Sequence, residues 1–332
     1  MKYVKLLLLG LGIYLLFMTI QGVGFETIAA KILELRWKLL ALFVVYPFVF
    51  GFNALGWAYA FPSELPKRVP FRDLYHTRII GETFNNIIPW TASLGGEPIK
   101  AELLKRKHGI PLSQTYASLF IVHTTFWVSL NLFVGTALFL TRHTQPLTPI
   151  LWHSVLAFLI VLGVVALLLV TALLFGIFTR MHEWAKKVKW LPHATDKDSK
   201  LLQLDEDIKK FYFDDKRRLF LSSFFNFLSW TAGVVEVYLF MHILGLHVRW
   251  VEAWIFEALI QALRVGTFFI PASLGAQEGG IVLLFSQFGL GQPAGLAFAI
   301  LRRIREIVWM GIGLILWAFV EDKPKLLERS KG

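Results

Sequence analysis

The chain alternates long apolar runs with short polar stretches, and six of the runs have spanning length: 6–24, 39–61, 115–140, 149–178, 219–245 and 293–320. About 20 apolar helical residues cross a bilayer core roughly 30 Å thick, so about six transmembrane helices are predicted. Two further apolar stretches are broken. Residues 79–96, IIGETFNNIIPWTASLGG, and residues 250–290, with FIPASLGAQEGG near their centre, carry proline, glycine and glutamate where a spanning helix ought to run on.

Composition decides which solvent the folded chain meets. With 56% hydrophobic and 17% charged residues, 30 Phe and 12 Trp, and a mean hydropathy of +0.58, the sequence is too apolar for a water-soluble fold. The expected fold is an all-α polytopic membrane protein, a single transmembrane domain over 1–332 with no room for a soluble catalytic domain. The first run has the basic start of a signal peptide, but its apolar stretch is long and the cleavage site in TIAAK weak, so a retained helix is expected. The absence of cysteine excludes disulfides, thiolate metal sites and cysteine nucleophiles. The nine histidines show no H-E-x-x-H spacing and no G-K-[ST] loop occurs, so neither a metal, a cofactor, ATP-driven pumping nor a nucleic-acid partner is expected.

The net charge of +11 acquires meaning once it is located. Lys and Arg number two in 1–5, eight in 62–112, eleven in 179–218 and four in 321–332, against five in all over 25–38, 141–148 and 246–250. By the positive-inside rule the first group faces the cytoplasm. Both termini are then expected on the cytoplasmic side of the inner membrane. This assignment holds only if neither broken stretch crosses. The first must dip in from the cytoplasm and return, and the second must do so from outside. Non-helical backbone at membrane depth is tolerated only where protein buries it or it lines a wet cavity, so both breaks point to an interior site.

The two breaks also match each other. Ile88-Pro89, Ala92-Ser93-Leu94-Gly95 and Glu97 correspond, with a two-residue shift, to Ile270-Pro271, Ala272-Ser273-Leu274-Gly275 and Glu278. Downstream, Gly109 and Ala117 recur as Gly289 and Ala297 at the same spacing. The units 79–140 and 250–320 are therefore expected to form an inverted-topology repeat, the arrangement that builds transporter sites from paired broken helices. Pro89, Gly95, Gly96, Pro271, Gly275, Gly279 and Gly280 are the expected hairpin-forming residues.

The stretches NNIIPWTASLGGEPIKAELLKRKHGI, IPASLGAQEGG and ILRRIREIVWMGIGLILW resemble the transmembrane region of lysylphosphatidylglycerol synthases, a family of flippase-like membrane proteins, over roughly 45–320. The pattern ALR…LGAQEGG…LRRIRE is most similar to its hopanoid-biosynthesis-associated branch. The resemblance implies movement or hand-over of a lipid, or a lipid-linked intermediate, across the cytoplasmic membrane. Members fused to an aminoacyl-transferase domain also make the aminoacylated lipid. No segment of this sequence resembles that domain, so translocation is expected rather than synthesis.

Ionisable residues inside the apolar stretches carry the candidate chemistry, because a charge at bilayer centre costs about 2.5–3.5 kcal/mol on insertion scales and is normally paired or faces a cavity. Glu82, Asn85 and Asn86 form one polar stripe before the first break; Glu257, Gln261 and Arg264 form another before the second. In the last helix, Arg302, Arg305 and Glu306 are expected on one face with Arg303 pointing elsewhere, about 15 Å in from the external end. The surplus of arginine calls for a partner. Either Glu257 or Glu278 closes a structural ion network, or a phosphate-bearing head group is bound bidentately.

Glu97 precedes Pro98, a residue suited to a first helical turn, and either caps that helix or belongs to the site. Glu278, beside Gln277, starts the returning helix at depth, has the weaker structural excuse, and is expected to carry protons. His123, Trp127 and Asn131 share a face that extends the candidate pathway. The basic stretch 179–218 suits the surface of an anionic leaflet. Expected partners are membrane lipids: an anionic phospholipid, a polyprenyl-phosphate or a hopanoid, with a lipid-modifying enzyme as a further partner. A membrane-embedded transferase and a non-catalytic partner of such an enzyme remain alternatives to a translocase.

Overall fold

The computed structural model describes residues 26, 30, 33–63, 69–87, 95–144, 148–187, 198–267 and 275–320. A short 3-10 turn, Arg36–Leu40, leads into α1, Ala41–Ala60. The helices that follow are α2 (Phe71–Ile87), α3 (Glu97–His108), α4 (Leu112–Thr144), α5 (Pro149–Leu174), α6 (Ile177–Lys187), α7 (Asp198–Asp214), α8 (Lys216–Ile243), α9 (Trp250–Gly266), α10 (Ala276–Gln287) and α11 (Gln292–Ala318). No strand occurs among the described residues.

Four helices are long and apolar enough to cross a membrane, within Phe43–Ala60, Leu112–Thr141, Trp152–Leu174 and Lys216–Ile243. They answer to the predicted runs 39–61, 115–140, 149–178 and 219–245, and make the chain a multi-pass membrane protein. The run 6–24 lies outside the described residues. The run 293–320 is helical as α11, about 40 Å long at 1.5 Å per residue, but Arg302, Arg303, Arg305 and Glu306 interrupt its apolar character. Helix α5 turns Ile160, Val161, Leu167 and Leu168 outward, as a helix bathed in lipid does.

Helices α1 and α8 pack antiparallel along a seam of small and hydroxylic side chains. Asn53 Nδ2 donates to Ser229 Oγ at 2.5 Å, and Asn226 Nδ2 to Thr125 Oγ1 of α4 at 3.1 Å. Gly56 opens room for this seam, since a Cβ there would come within 2.9 Å of Asn226 Oδ1. Close backbone approach and interhelical hydrogen bonds replace the hydrophobic effect as glue in lipid. At the end of α1, Arg218 of α8 donates Nε to the Phe61 carbonyl and Nη2 to that of Ala58, both at 2.8 Å. A cation there satisfies carbonyls that the last helical turn leaves open.

The two broken segments have equal dimensions. Helices α2 and α9 each have 17 residues, α3 and α10 each have 12, and nine residues, 88–96 and 267–275, lie between the arms in each case. Each first arm packs on the long helix of the other unit. From α2, Phe84 meets Trp317 of α11 with ring centroids 5.4 Å apart, and Thr83 fills the space beside Gly313. From α9, Trp254 stacks on Phe133 of α4 at 5.1 Å. Pro89 and Pro271 lie outside the described residues, as do the tips 88–94 and 268–274.

The basic stretch expected as a loop over 179–218 is largely helical. Asp205 of α7 is buried and accepts from Thr179 N at 2.8 Å and Thr179 Oγ1 at 2.6 Å. It therefore satisfies an amide that the first turn of α6 leaves open, fixing α6 against α7. Helix α6 leaves Met181 and Trp184 exposed.

Candidate functional site

Five arginines and five glutamates meet among the described residues around the two first arms and the middle of α11. Arg302 Nη1 donates to Glu257 Oε2 at 2.7 Å, and Glu257 Oε1 accepts from Gln261 Nε2 at 2.5 Å. Arg303 donates Nε and Nη2 to Glu278 Oε1 at 2.8 and 2.5 Å, and Nη1 to Glu306 Oε2 at 2.8 Å. Arg305 is paired with Glu236 of α8, lies 3.6 Å from Glu306, and covers the Tyr46 ring with its guanidinium carbon 4.1 Å from the centroid. Glu82 is shared by Arg78 of its own helix and Arg264 of α9, each at 3.5 Å.

This corrects two expectations. The arginine surplus does not exist, because Glu236 supplies a carboxylate from a spanning helix and Glu82 reaches Arg264. Arg303 does not point away either. Its three-residue separation from Glu306 brings the two together along one side of α11, where α10 presents Glu278. Glu236 had a signal: it is the one carboxylate in the run 219–245, and an ionised residue at membrane depth asks for a partner.

The cap weighed for Glu97 is found at Glu278 instead. Glu278 caps its helix, accepting the Gly275 amide at 2.9 Å through Oε2 while Oε1 takes Arg303. Gly275 has φ +77°, a conformation that glycine adopts without penalty. Glu97 makes no side-chain cap. It lies 2.6 Å from Lys100 Nζ and 3.3 Å from His123 Nε2 of α4, and Lys100 is 1% exposed.

The remaining candidates separate into positioning and lining groups. Asn85 Oδ1 accepts the Gly96 amide at 2.7 Å, tying the end of the first break back to α2. Gly96 is obligatory, since a Cβ there would overlap the Gly81 carbonyl oxygen. Gly280 packs against Leu263, and Gly279 meets nothing within 4 Å of a built Cβ. Asn86 donates to the Glu82 carbonyl at 2.9 Å and lines a cleft with Tyr46, Glu82, Arg264, Glu306 and Trp309. The open space is about 20 Å³, room for one water. Gln277 is buried between α10 and α11 beside Glu278, Arg302 and Arg303. On the same helix as His123, Asn131 donates to the Trp127 carbonyl at 3.1 Å. Charge pairing leaves donors over: Nε and Nη2 of Arg305 and Nε of Arg302 are buried without a hydrogen-bond acceptor among the described residues.

The family described as the lysylphosphatidylglycerol synthase TM region matches residues 4–314. The match reaches the family and not the hopanoid-associated branch within it. Comparison with curated proteins and with solved structures gives no match.

Proposed function

The chain belongs to the lysylphosphatidylglycerol synthase transmembrane-region family, and on that premise we propose that it is a lipid translocase, moving a phosphate-bearing or isoprenoid-linked lipid between the leaflets of the cytoplasmic membrane. In this reading both termini are cytoplasmic. The α2–α3 hairpin enters from that side and the α9–α10 hairpin from the other, as an inverted repeat. Equal arm lengths and the exchange of first arms between the units support it, because paired broken helices meeting near the midplane are how transporters build a binding site.

The observation that carries the reading is the Arg264–Glu82 pair. It joins the ends of the two first arms at 3.5 Å, beside the cleft, with Arg264 31% and Glu82 22% exposed. It is looser and more open than Arg302–Glu257 at 2.7 Å. A phosphate can take the place of Glu82 on the guanidinium and add bidentate geometry, with the open donors of Arg305 behind the Tyr46 ring. In this reading the narrow cleft corresponds to a closed state, and loading requires the arms to part. Anionic phospholipids and polyprenyl-phosphates fit this chemistry; a hopanoid without phosphate leaves Arg264 unmatched.

The test is leaflet exchange of labelled lipids in liposomes holding the purified protein. The wild type is expected to accelerate exchange without forming any new covalent product, and Arg264→Gln to slow it. A new lipid product would instead mark a membrane-embedded transferase. Formal neutrality of the buried network favours one second reading, a non-catalytic partner of a lipid-modifying enzyme, and wild-type liposomes that exchange no lipid would turn the choice that way.

A further inference from the structure

The five arginines and five glutamates around the two broken segments pair with one another and sum to zero charge. Beside them Glu97 and Lys100 balance each other at 2.6 Å. The balance does not rest on the described residues alone, since the run 6–24 and the tips 88–94 and 268–274 contain no Asp, Glu, His, Lys or Arg. Arginine keeps its proton at any physiological pH, so the guanidinium charges are fixed. A ligand that adds net charge to this network leaves it unbalanced in apolar surroundings, which is strongly unfavourable.

We propose that the head group taken up between Arg264 and Glu82 is zwitterionic, a phosphodiester with an ammonium a few bonds away, as in an ethanolamine-type phospholipid. This rests on the translocase reading and narrows its substrate class. Any phosphate matches the Arg264 guanidinium, and the balance of the network decides among phosphates. A phosphodiester alone brings the sum to minus one, and a phosphate monoester brings it closer to minus two. A lipid that carries an ammonium with its phosphate inserts ion for ion: phosphate on Arg264, ammonium on Glu82, sum unchanged. No covalent bond changes.

The cleft offers each charge its own wall. On the phosphate side, Arg264 supplies paired donors. Trp309, which lines the same cleft, keeps its indole N–H buried without an acceptor among the described residues, a donor suited to a phosphate or ester oxygen. On the ammonium side stand two carboxylates, Glu82 and Glu306, and the rings of Tyr46, Phe50 and Trp309, with centroids 5.0, 5.8 and 5.0 Å apart. Ring faces attract cations, and one of these already holds one: the Arg305 guanidinium lies 4.1 Å from the Tyr46 centroid. A purely anionic head group has nothing to offer either the carboxylates or the rings. Nor do the deeper pairs offer this exchange, because the side chains of Arg302–Glu257 and Arg305–Glu236 are at most 4% exposed.

Three lipids with identical acyl chains test the charge rule on the full-length protein. Acyl-labelled phosphatidylethanolamine, phosphatidylglycerol and phosphatidic acid share the phosphate and differ in net charge. Binding is measured by competition in a non-ionic detergent, and exchange in liposomes of an uncharged digalactosyl lipid. Phosphatidylethanolamine is expected to bind and exchange several-fold better than phosphatidylglycerol, with phosphatidic acid last. Glu82→Gln, which leaves one positive charge in surplus, should move the preference to phosphatidylglycerol; if that variant does not fold, the wild-type ranking alone decides. An anionic lipid bound as well as the zwitterion by the wild type, or a ranking that folded Glu82→Gln does not move, overturns the proposal, while exchange of the anionic lipids leaves translocation standing. Selective binding without exchange supports the zwitterionic site and refutes translocation. Neither binding nor exchange refutes both. Free phosphoethanolamine that competes as well as the lipid assigns the site to a soluble compound and overturns the proposal.

Discussion

Replacing the Arg305–Glu236 pair tests whether the centre of the bundle is held by ionic locks. Arg305 is 0% and Glu236 2% exposed, so neither charge reaches solvent when its partner is removed. A buried charge deprived of its partner costs about 3–5 kcal/mol, whereas removing both charges together is often neutral. Arg305→Met alone removes the guanidinium that Glu236 is paired with and leaves its charge buried. Glu236→Leu alone leaves Arg305 with Glu306 at 3.6 Å and the Tyr46 ring, so it should cost less, about 3 kcal/mol. The double variant should recover to within about 1 kcal/mol of wild type, giving a coupling energy at or above the upper end of the usual 0.5–3 kcal/mol for touching residues. Equilibrium unfolding in mixed detergent micelles measures all four corners of the cycle. A double variant as unstable as the sum of the singles would refute the pairing and the idea that α11 is locked to α8 by charge.

Three further outcomes follow from particular positions. Gly96→Ala should destabilise by about 3 kcal/mol or more, the upper end of overpacking costs, because its Cβ meets the Gly81 backbone; Gly279→Ala, with open space, should be neutral or stabilising by up to about 1 kcal/mol, and unfolding midpoints compare them. On the α7 surface, burial and the neighbouring Glu206 push the Asp207 carboxyl above its ordinary range, with Lys210 opposing, so its ionised form weakens the fold as pH rises through the raised value. Asp207→Asn should therefore raise the unfolding temperature at pH 7, with the gain vanishing below about pH 4, near the ordinary carboxylate value. Arg264→Lys should lose most of the exchange activity that Arg264→Gln loses if bidentate phosphate contact matters, since an ammonium cannot supply it; unchanged exchange in liposomes would remove Arg264 from the site.

The sequence foretold the spanning helices well where apolar length alone decides, as in 149–178, which became Pro149–Leu174. It foretold that breakers interrupt 79–96 and 250–290, because glycine and proline act through local backbone geometry. It failed on pairing. Helical spacing within α11 places Arg302 and Arg303 about 100° apart, but says nothing of which neighbours approach each side, and here α9 brings Glu257 to one and α10 brings Glu278 to the other. That the cap falls to Glu278 and not to Glu97 was readable from spacing. Glu278 stands three residues after Gly275, where a carboxylate reaches back to the cap amide, while Glu97 stands one after Gly96 and is too near to do so.

The pattern of ion pairs also divides the molecule into a fixed part and a part free to respond. Arg302–Glu257, Arg303–Glu278 and Arg305–Glu236 tie α11 to α9, α10 and α8, and all three arginines are at most 3% exposed. Toward α2 the ionic connection is Arg264–Glu82, longer and more open. Opening the arms by breaking any of the first three strands a charge in apolar surroundings, whereas Arg264 and Glu82 keep other ionic neighbours, Glu306 and Arg78. The lowest-cost opening therefore separates α2 and α3 from the α8–α11 body, which is the movement that the proposed translocase needs for a head group to reach Arg264.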